Sequence, residues 1–330
     1  MQLLLWFESI RNPFLDAIFS GITLLGGELV FLGFATFVYW CVNKKHGYLI
    51  LISGFFSTVI NQFLKLSFKV PRPWQSMEGF TVVESAKGGA TGYSFPSGHS
   101  QNAVTTFGIV GAKARSWIVK IIAGILLILV PVSRMYLGVH TPWDVMAGAG
   151  FAFIIIIALD HFFKYEKLHK RAMPWIIGAV FVAAVAFYLY ARVLTPLSSD
   201  EEAKSAVKNA CTLLGCCFGL LVVYPLDSKV IKFSTAAKWY VQIIKLVGGL
   251  CVVGCCYALP KQPLTFLLGE FEERIIRYFL IVVTAGALWP FMFRYITKIK
   301  IPVFDKVGDR VYAIFHPKKS KALISGNKVK

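Results

Sequence analysis

Three short segments of this 330-residue chain carry side chains able to handle a phosphoryl group. The first runs Lys65-Leu-Ser-Phe-Lys-Val-Pro-Arg72-Pro73, and the second is Pro96-Ser97-Gly98-His99. The third is Ser133-Arg134-Met-Tyr-Leu-Gly-Val-His140, with Asp144 four residues on. Lys65, Arg72 and Arg134 supply cations, two of them planar forks matched to phosphate oxygens. Ser97 and Gly98 open a helix whose free backbone N–H groups and dipole favour an anion, and Gly98 lets the backbone come close. Residues four apart share a helix face, so Asp144 can reach one ring nitrogen of His140, hold it protonated and free the other as a nucleophile. His99 is then available to protonate a leaving oxygen. The chemistry these types spell out is a two-step phosphate transfer through phosphohistidine.

Each segment also has a plainer reading. Lys65 is a lysine type that snorkels at helix ends, and Arg72-Pro73 is ordinary loop punctuation. Thr141, Pro142 and Asp144 form an N-cap, N1 and N3 set, a role compatible with orienting His140.

The elements that position these segments must lie in a membrane. The chain is 56% hydrophobic and only 16% charged, with a mean hydropathy of +0.64. Those values exclude a soluble enzyme, a disordered tail and a disulfide-rich secreted module. The fold class is an all-α polytopic membrane protein. Apolar runs predict about nine transmembrane helices, near 28–43, 47–66, 98–113, 117–136, 142–163, 174–193, 206–224, 239–259 and 271–296; the first and third are short. The net charge of +18 would suggest nucleic acid in a soluble protein. Here the basic residues gather on one side, at Lys44–Lys45, Lys113–Lys120, Lys164–Arg171, Lys229–Lys238 and in the tail. The partners expected are membrane lipids, with no nucleic acid. The positive-inside bias puts the C-terminus in the cytoplasm and all three segments on the extracytoplasmic face.

Together the segments resemble the signature of the type-2 phosphatidic acid phosphatase superfamily: Lys-x6-Arg-Pro, Pro-Ser-Gly-His and Ser-Arg-x5-His-x3-Asp. All eleven fixed positions are present. The resemblance implies a hydrolase with His140 as nucleophile, Asp144 orienting it and His99 as the acid. It implies that Lys65, Arg72, Ser97, Gly98 and Arg134 hold the phosphate, with no metal and no cofactor. It further implies a six-helix phosphatase core over 28–195. An interfacial N-terminal segment (1–27) then precedes the core, with Pro13 breaking it. Additional helices (196–297) and a basic cytoplasmic tail (298–330) follow.

The expected activity is hydrolysis of a phosphorylated lipid, a monoester or diphosphate, by a multi-pass protein of the plasma membrane. Candidate substrates are phosphatidate, phosphatidylglycerol phosphate, polyprenyl diphosphate and sphingoid phosphate. The alternatives are a glucose-6-phosphatase-like sugar phosphatase, which the nine-span layout also resembles, and a non-catalytic lipid transporter or scaffold. A binder needs the cations but not an activated nucleophile, so intact His140, His99 and Asp144 speak for catalysis. Of the remaining polar residues, Glu28 either lines a pocket or sits at headgroup level. Asn61 and Gln62 are expected to bond between helices. Arg192, Arg274 and Arg277 are expected to anchor the surface, with contact to a second phosphate or headgroup as the alternative. The seven cysteines are expected to pack between helices.

Overall fold

The computed structural model describes residues 1–194, 201–302 and 304. The basic tail beyond, and the expected boundary near 195–200, lie outside the described residues. Short helices α1 (Gln2–Ser9) and α2 (Pro13–Leu24) lead into α3 (Glu28–Phe37) and the long α4 (Lys44–Phe68). After a loop come α5 (Gly98–Ala103), α6 (Ile109–Lys113), α7 (Trp117–Tyr136), α8 (Pro142–Lys164) and α9 (Glu166–Leu194). The remainder is α10 (Glu201–Leu226), α11 (Trp239–Ala258), α12 (Lys261–Leu268), α13 (Glu273–Val283) and α14 (Trp289–Ile296). Single π-helical turns continue α3, join α5 to α6, extend α10 and join α13 to α14.

Local chemistry sets the helix ends. Pro13 occupies the first turn of α2 behind Asn12, whose side chain accepts from Leu15 N. Asn43 caps α4 in the same way, accepting from His46 N at 3.0 Å. At its other end α4 stops at Lys69, in the left-handed region with φ +48°.

Seven helices among the described residues are long and apolar enough to cross a membrane, and α2 with the α3 run, bent by 49°, makes an eighth. The expectation of nine therefore turns on Gly98–Lys113, which is helical throughout but only 16 residues long. Ion pairs show where it goes. Lys113, at its end, meets Asp160 near the end of α8 at 2.6 Å, and Lys45 at the start of α4 meets Glu166 at the start of α9 at 3.9 Å. Lys44 meets Asp227, after α10, at 2.7 Å. All of these belong to one end of the bundle, whereas Ser97 and His99 belong to the other. The short helix thus carries the chain from end to end, and that passage brings the second and third segments to the end of α4 that holds the first.

The core runs through α3, α4, α8, α9, α10 and α14, with Trp40, Leu49, Ile52, Phe187, Val207 and Phe293 almost wholly buried. Of the expected helix-to-helix bonds one is present, Gln62 of α4 accepting from Asn209 of α10 at 3.1 Å, whereas Asn61 donates at 3.2 Å to Pro96 O in the loop before α5. Two more expectations need correction. Arg277 is no surface anchor, being 1% exposed and bound through two 2.8 Å bonds to Glu273 one turn earlier. Cys251 and Cys255 are exposed on α11 rather than packed between helices, because their face of the helix points outward.

Candidate active site

The loop between α4 and α5 is stitched to the α7–α8 link by Arg72. Its Nε donates to Gly92 O at 3.0 Å, its NH2 to Thr91 O at 2.8 Å and its NH1 to Val139 O at 3.0 Å. NH1 also lies 3.0 Å from Nε2 of His140. A guanidinium can only donate, so Nε2 is the accepting, unprotonated nitrogen and the ring proton is assigned to Nδ1. On that side Asp144 Oδ2 stands 3.5 Å from Nδ1, and Ser94 Oγ stands 3.4 Å from it. Ser94 donates to the same Asp144 oxygen at 2.6 Å. The carboxylate therefore acts on the ring both directly and through the serine hydroxyl.

Asp144 also performs its cap role. Thr141 N donates to Oδ2 at 2.7 Å, and Asp144 N donates to Thr141 Oγ1 at 3.2 Å, a reciprocal capping box at the start of α8. The backbone carbonyl of Asp144 accepts from Ser97 N at 2.9 Å, tying the second segment to the third. This contact requires Gly148: a Cβ there would lie 2.3 Å from Ser97 O. Ser97 caps the next helix, its Oγ accepting from Ser100 N at 3.4 Å, so the amides of Gly98 and His99 have no partner one turn back.

Lys65, 8% exposed, donates to the carbonyls of Tyr93 and, at 3.4 Å, Ser94. Arg134, 2% exposed, donates through NH1 to Thr23 Oγ1 at 2.7 Å, and its Nε has no partner among the described residues. An unpaired buried N–H of this kind is costly unless an anion meets it. His140 is itself buried, which lowers its pKa below the ordinary imidazole value; Arg72, Arg134, Lys65 and His99 lower it further. The ring is held neutral, with a free lone pair facing the cations.

All eight residues singled out in the three segments gather here: His140, His99 and Asp144 with Lys65, Arg72, Ser97, Gly98 and Arg134. Sequence reasoning passed over three others. Ser94 bridges the histidine and the carboxylate. Thr23 holds Arg134, and Gly26 lies against His99, where a Cβ would come within 2.9 Å of the His99 carbonyl. Thr23 and Gly26 belong to the N-terminal segment and carried no signal.

Comparison with known proteins places the sequence beside a group of phosphatases. A model described as "PAP2 superfamily" matches residues 30–168. A second, described as "PAP2 superfamily phosphatase, transmembrane extension", matches residues 211–299. Phosphatidylglycerophosphatase B of Bacillus subtilis is 29% identical over 177 residues, 49% of this chain and 82% of that one. A probable sphingosine-1-phosphate phosphatase of Dictyostelium discoideum is 26% identical over 171 residues, 48% of this chain and 41% of that one. An undecaprenyl-diphosphatase of Sulfolobus acidocaldarius is 34% identical over 110 residues, 32% of this chain and 50% of that one. The chain thus spans half or less of the last two relatives. No solved structure matches it. With the three segments converged on one histidine and two models of a single superfamily together covering most of the sequence, the chain belongs to the PAP2 superfamily and is a membrane-spanning phosphatase.

Proposed function

We propose that the protein hydrolyses a phosphate monoester or diphosphate of a membrane lipid, without a metal, through a phosphohistidine formed on His140. The observation that carries this reading is the state of that ring: Nε2 unprotonated at 3.0 Å from Arg72, Nδ1 turned to Asp144 and Ser94. In the first step Nε2 attacks phosphorus, the P–O bond to the lipid breaks, and His99 gives its proton to the leaving oxygen. Asp144 stabilises the charge left on the ring. In the second step His99 takes a proton from water, which attacks phosphorus as the P–N bond breaks and His140 returns to neutral. Lys65, Arg72 and Arg134, with the amides that open α5 at Gly98 behind Ser97, hold the phosphate oxygens and offset their growing charge. That set provides the charge that a metal supplies in other phosphatases.

Lipid as the substrate class is supported by the relatives, whose names specify phosphates of phosphatidylglycerol, sphingosine and undecaprenol. An extracytoplasmic site in the plasma membrane, with the C-terminus in the cytoplasm, is supported by the basic residues that crowd the opposite end of the bundle.

The test is phosphate release in detergent with excess EDTA, from a panel of lipid phosphates, lipid diphosphates and glucose 6-phosphate. It is joined to acid-quench trapping of labelled phosphate. Release from lipids in EDTA, with label on His140, is expected. Label on another residue, activity lost on chelation and restored by Mg²⁺, or preference for glucose 6-phosphate would overturn the reading.

A further inference from the structure

A cavity of about 550 Å³ lies between the phosphatase core and the C-terminal helices, separate from the cation cluster. Its size falls in the range of small-molecule pockets. Its long walls are apolar, formed by Leu32 of α3, Leu220 of α10, and Leu250 and Val253 of α11. Polar groups occur at its two ends. Glu28, Tyr257 and Tyr278 stand at the end that shares its level with the active site. Tyr39 and Tyr48 stand at the other, where their hydroxyls already serve the protein, bonding Gly286 O at 3.1 Å and Asp227 at 3.0 Å.

We propose that this cavity receives one hydrocarbon chain of the lipid whose phosphate is cleaved at His140; the proposal rests on the lipid-phosphatase reading above. Three observations carry it. The first is depth: from Glu28 to Tyr39 the wall rises about 16 Å, about half the thickness of a bilayer's hydrocarbon core, so the cavity is one leaflet deep. The second is proximity. Gly26 lies against His99, and Glu28, two residues on, is within about 7 Å of it along the chain. The third is charge. Glu28 at the mouth has Arg274 as its opposing charge, whereas Lys65, Arg72 and Arg134 stand in excess, so the headgroup of an anionic lipid rests on that cluster while its tail lies past Glu28. Water gains little from apolar walls, which leaves hydrocarbon as the suited occupant.

Two glycines make the test clean. Gly33 and Gly254 both line the cavity, and a Cβ at either meets nothing within 4 Å. Gly33→Leu and Gly254→Leu therefore fill space that the protein leaves open. The measurement is the ratio of kcat/KM for a sixteen-carbon to a six-carbon lipid phosphate. Each methylene denied burial is worth about fourfold, so the ratio should fall by about tenfold or more in both variants. Gly178→Leu, on α9 with equally open space and away from the cavity, should leave it unchanged. An unchanged ratio in the cavity variants, or an equal fall in Gly178→Leu, overturns the proposal.

A second arm reads binding without turnover. A long-chain alkylphosphonate with a photoreactive group at the chain end should label the strip at Ala285 and Gly286, deep in the cavity. A shorter alkylphosphonate should compete, and an alcohol of the same length should not. Labelling confined to other helices, or equal competition by the alcohol, places bulk lipid rather than substrate in the cavity and sinks the idea. Labelling of the cavity in a protein that hydrolyses no lipid phosphate would instead sink the catalytic reading and leave the binding site standing.

Discussion

Lys65, Arg72 and Arg134 converge in the core around a single carboxylate, Asp144, which is engaged by Thr141, Ser94 and His140. Three cations on or beside the C-terminal helices at the same end are arranged differently. Arg192 has Glu272, Lys208 has Glu270 at 2.6 Å, and Arg277 has Glu273. Both groups include buried arginines, yet in one the positive charge is left in excess and in these three pairs it is cancelled locally. Arg274, which among the described residues has neither a partner for its Nε nor an acid at ion-pair distance, stands outside the contrast. Arg72 is solvated by three carbonyls rather than by an acid, and Arg134 keeps an N–H without a partner. Desolvating a charge without a counter-ion is expensive, and a fold keeps such an arrangement only where something is gained from it. What distinguishes an anion site from a structural ion pair here is therefore the missing acid, not the presence of arginine.

The most severe break of this contrast is at the atom the core cations surround. His140→Ala should lower turnover by at least about a thousandfold, because the covalent route is lost, and single-turnover trapping should find no phosphoenzyme. Next, the same substitution made in both regions should act in opposite ways. Arg134→Met should lower kcat/KM by about a hundredfold or more while leaving thermal stability unchanged or raised. Arg277→Met should strand a buried Glu273, costing about 3–5 kcal/mol of stability, and spare the turnover of each folded molecule. Replacing both members of that pair, as Glu273→Leu with Arg277→Met, should recover most of the loss. Thermal denaturation in detergent beside initial rates checks all of these.

Asp144→Asn preserves an acceptor for the cap but removes the charge. Turnover should fall on the order of a hundredfold, while stability changes by at most about 1 kcal/mol. Near-normal turnover would return the residue to capping alone. The smallest effect concerns pH. Burial and the unpaired cations hold the His140 pKa down, so the neutral, nucleophilic form persists as pH falls. The acid limb of kcat/KM set by this ring should therefore lie below about 6.5, the ordinary imidazole value. In Arg134→Met one repelling charge is gone, so the limb should move to higher pH. A limb that stays in place would mean the cations do not act on the ring.

The candidate site was legible in the sequence because polar types are scarce in an apolar chain, and their spacing survives translation into helix geometry. His140 and Asp144 are four apart, so a single turn brings them together. The partners that escaped notice are those joined by long-range packing. Thr23 reaches Arg134 across 111 residues, and Ser94 looks like any loop serine until α8 is laid beside it. Arg277 was misplaced at the surface for a related reason: its partner Glu273 is one turn away on the same helix, but only the neighbouring helices decide that this face is inward. The cavity was invisible for the same cause, since its walls come from five helices spread between residues 28 and 286.

The short passage from Gly98 to Lys113 has a consequence for direction. Ser97 meets Gly148, six residues and so about 9 Å into α8, which sets the start of α5, and His99 with it, below the first turn of α8. On the lipid reading, cleavage at that depth separates the two products by phase. The alcohol remains dissolved in hydrocarbon, while inorganic phosphate can leave only upward into water. Reversal would require both to return to the same recess from different solvents. Partition between phases then adds to the free energy of hydrolysis in making the reaction run one way.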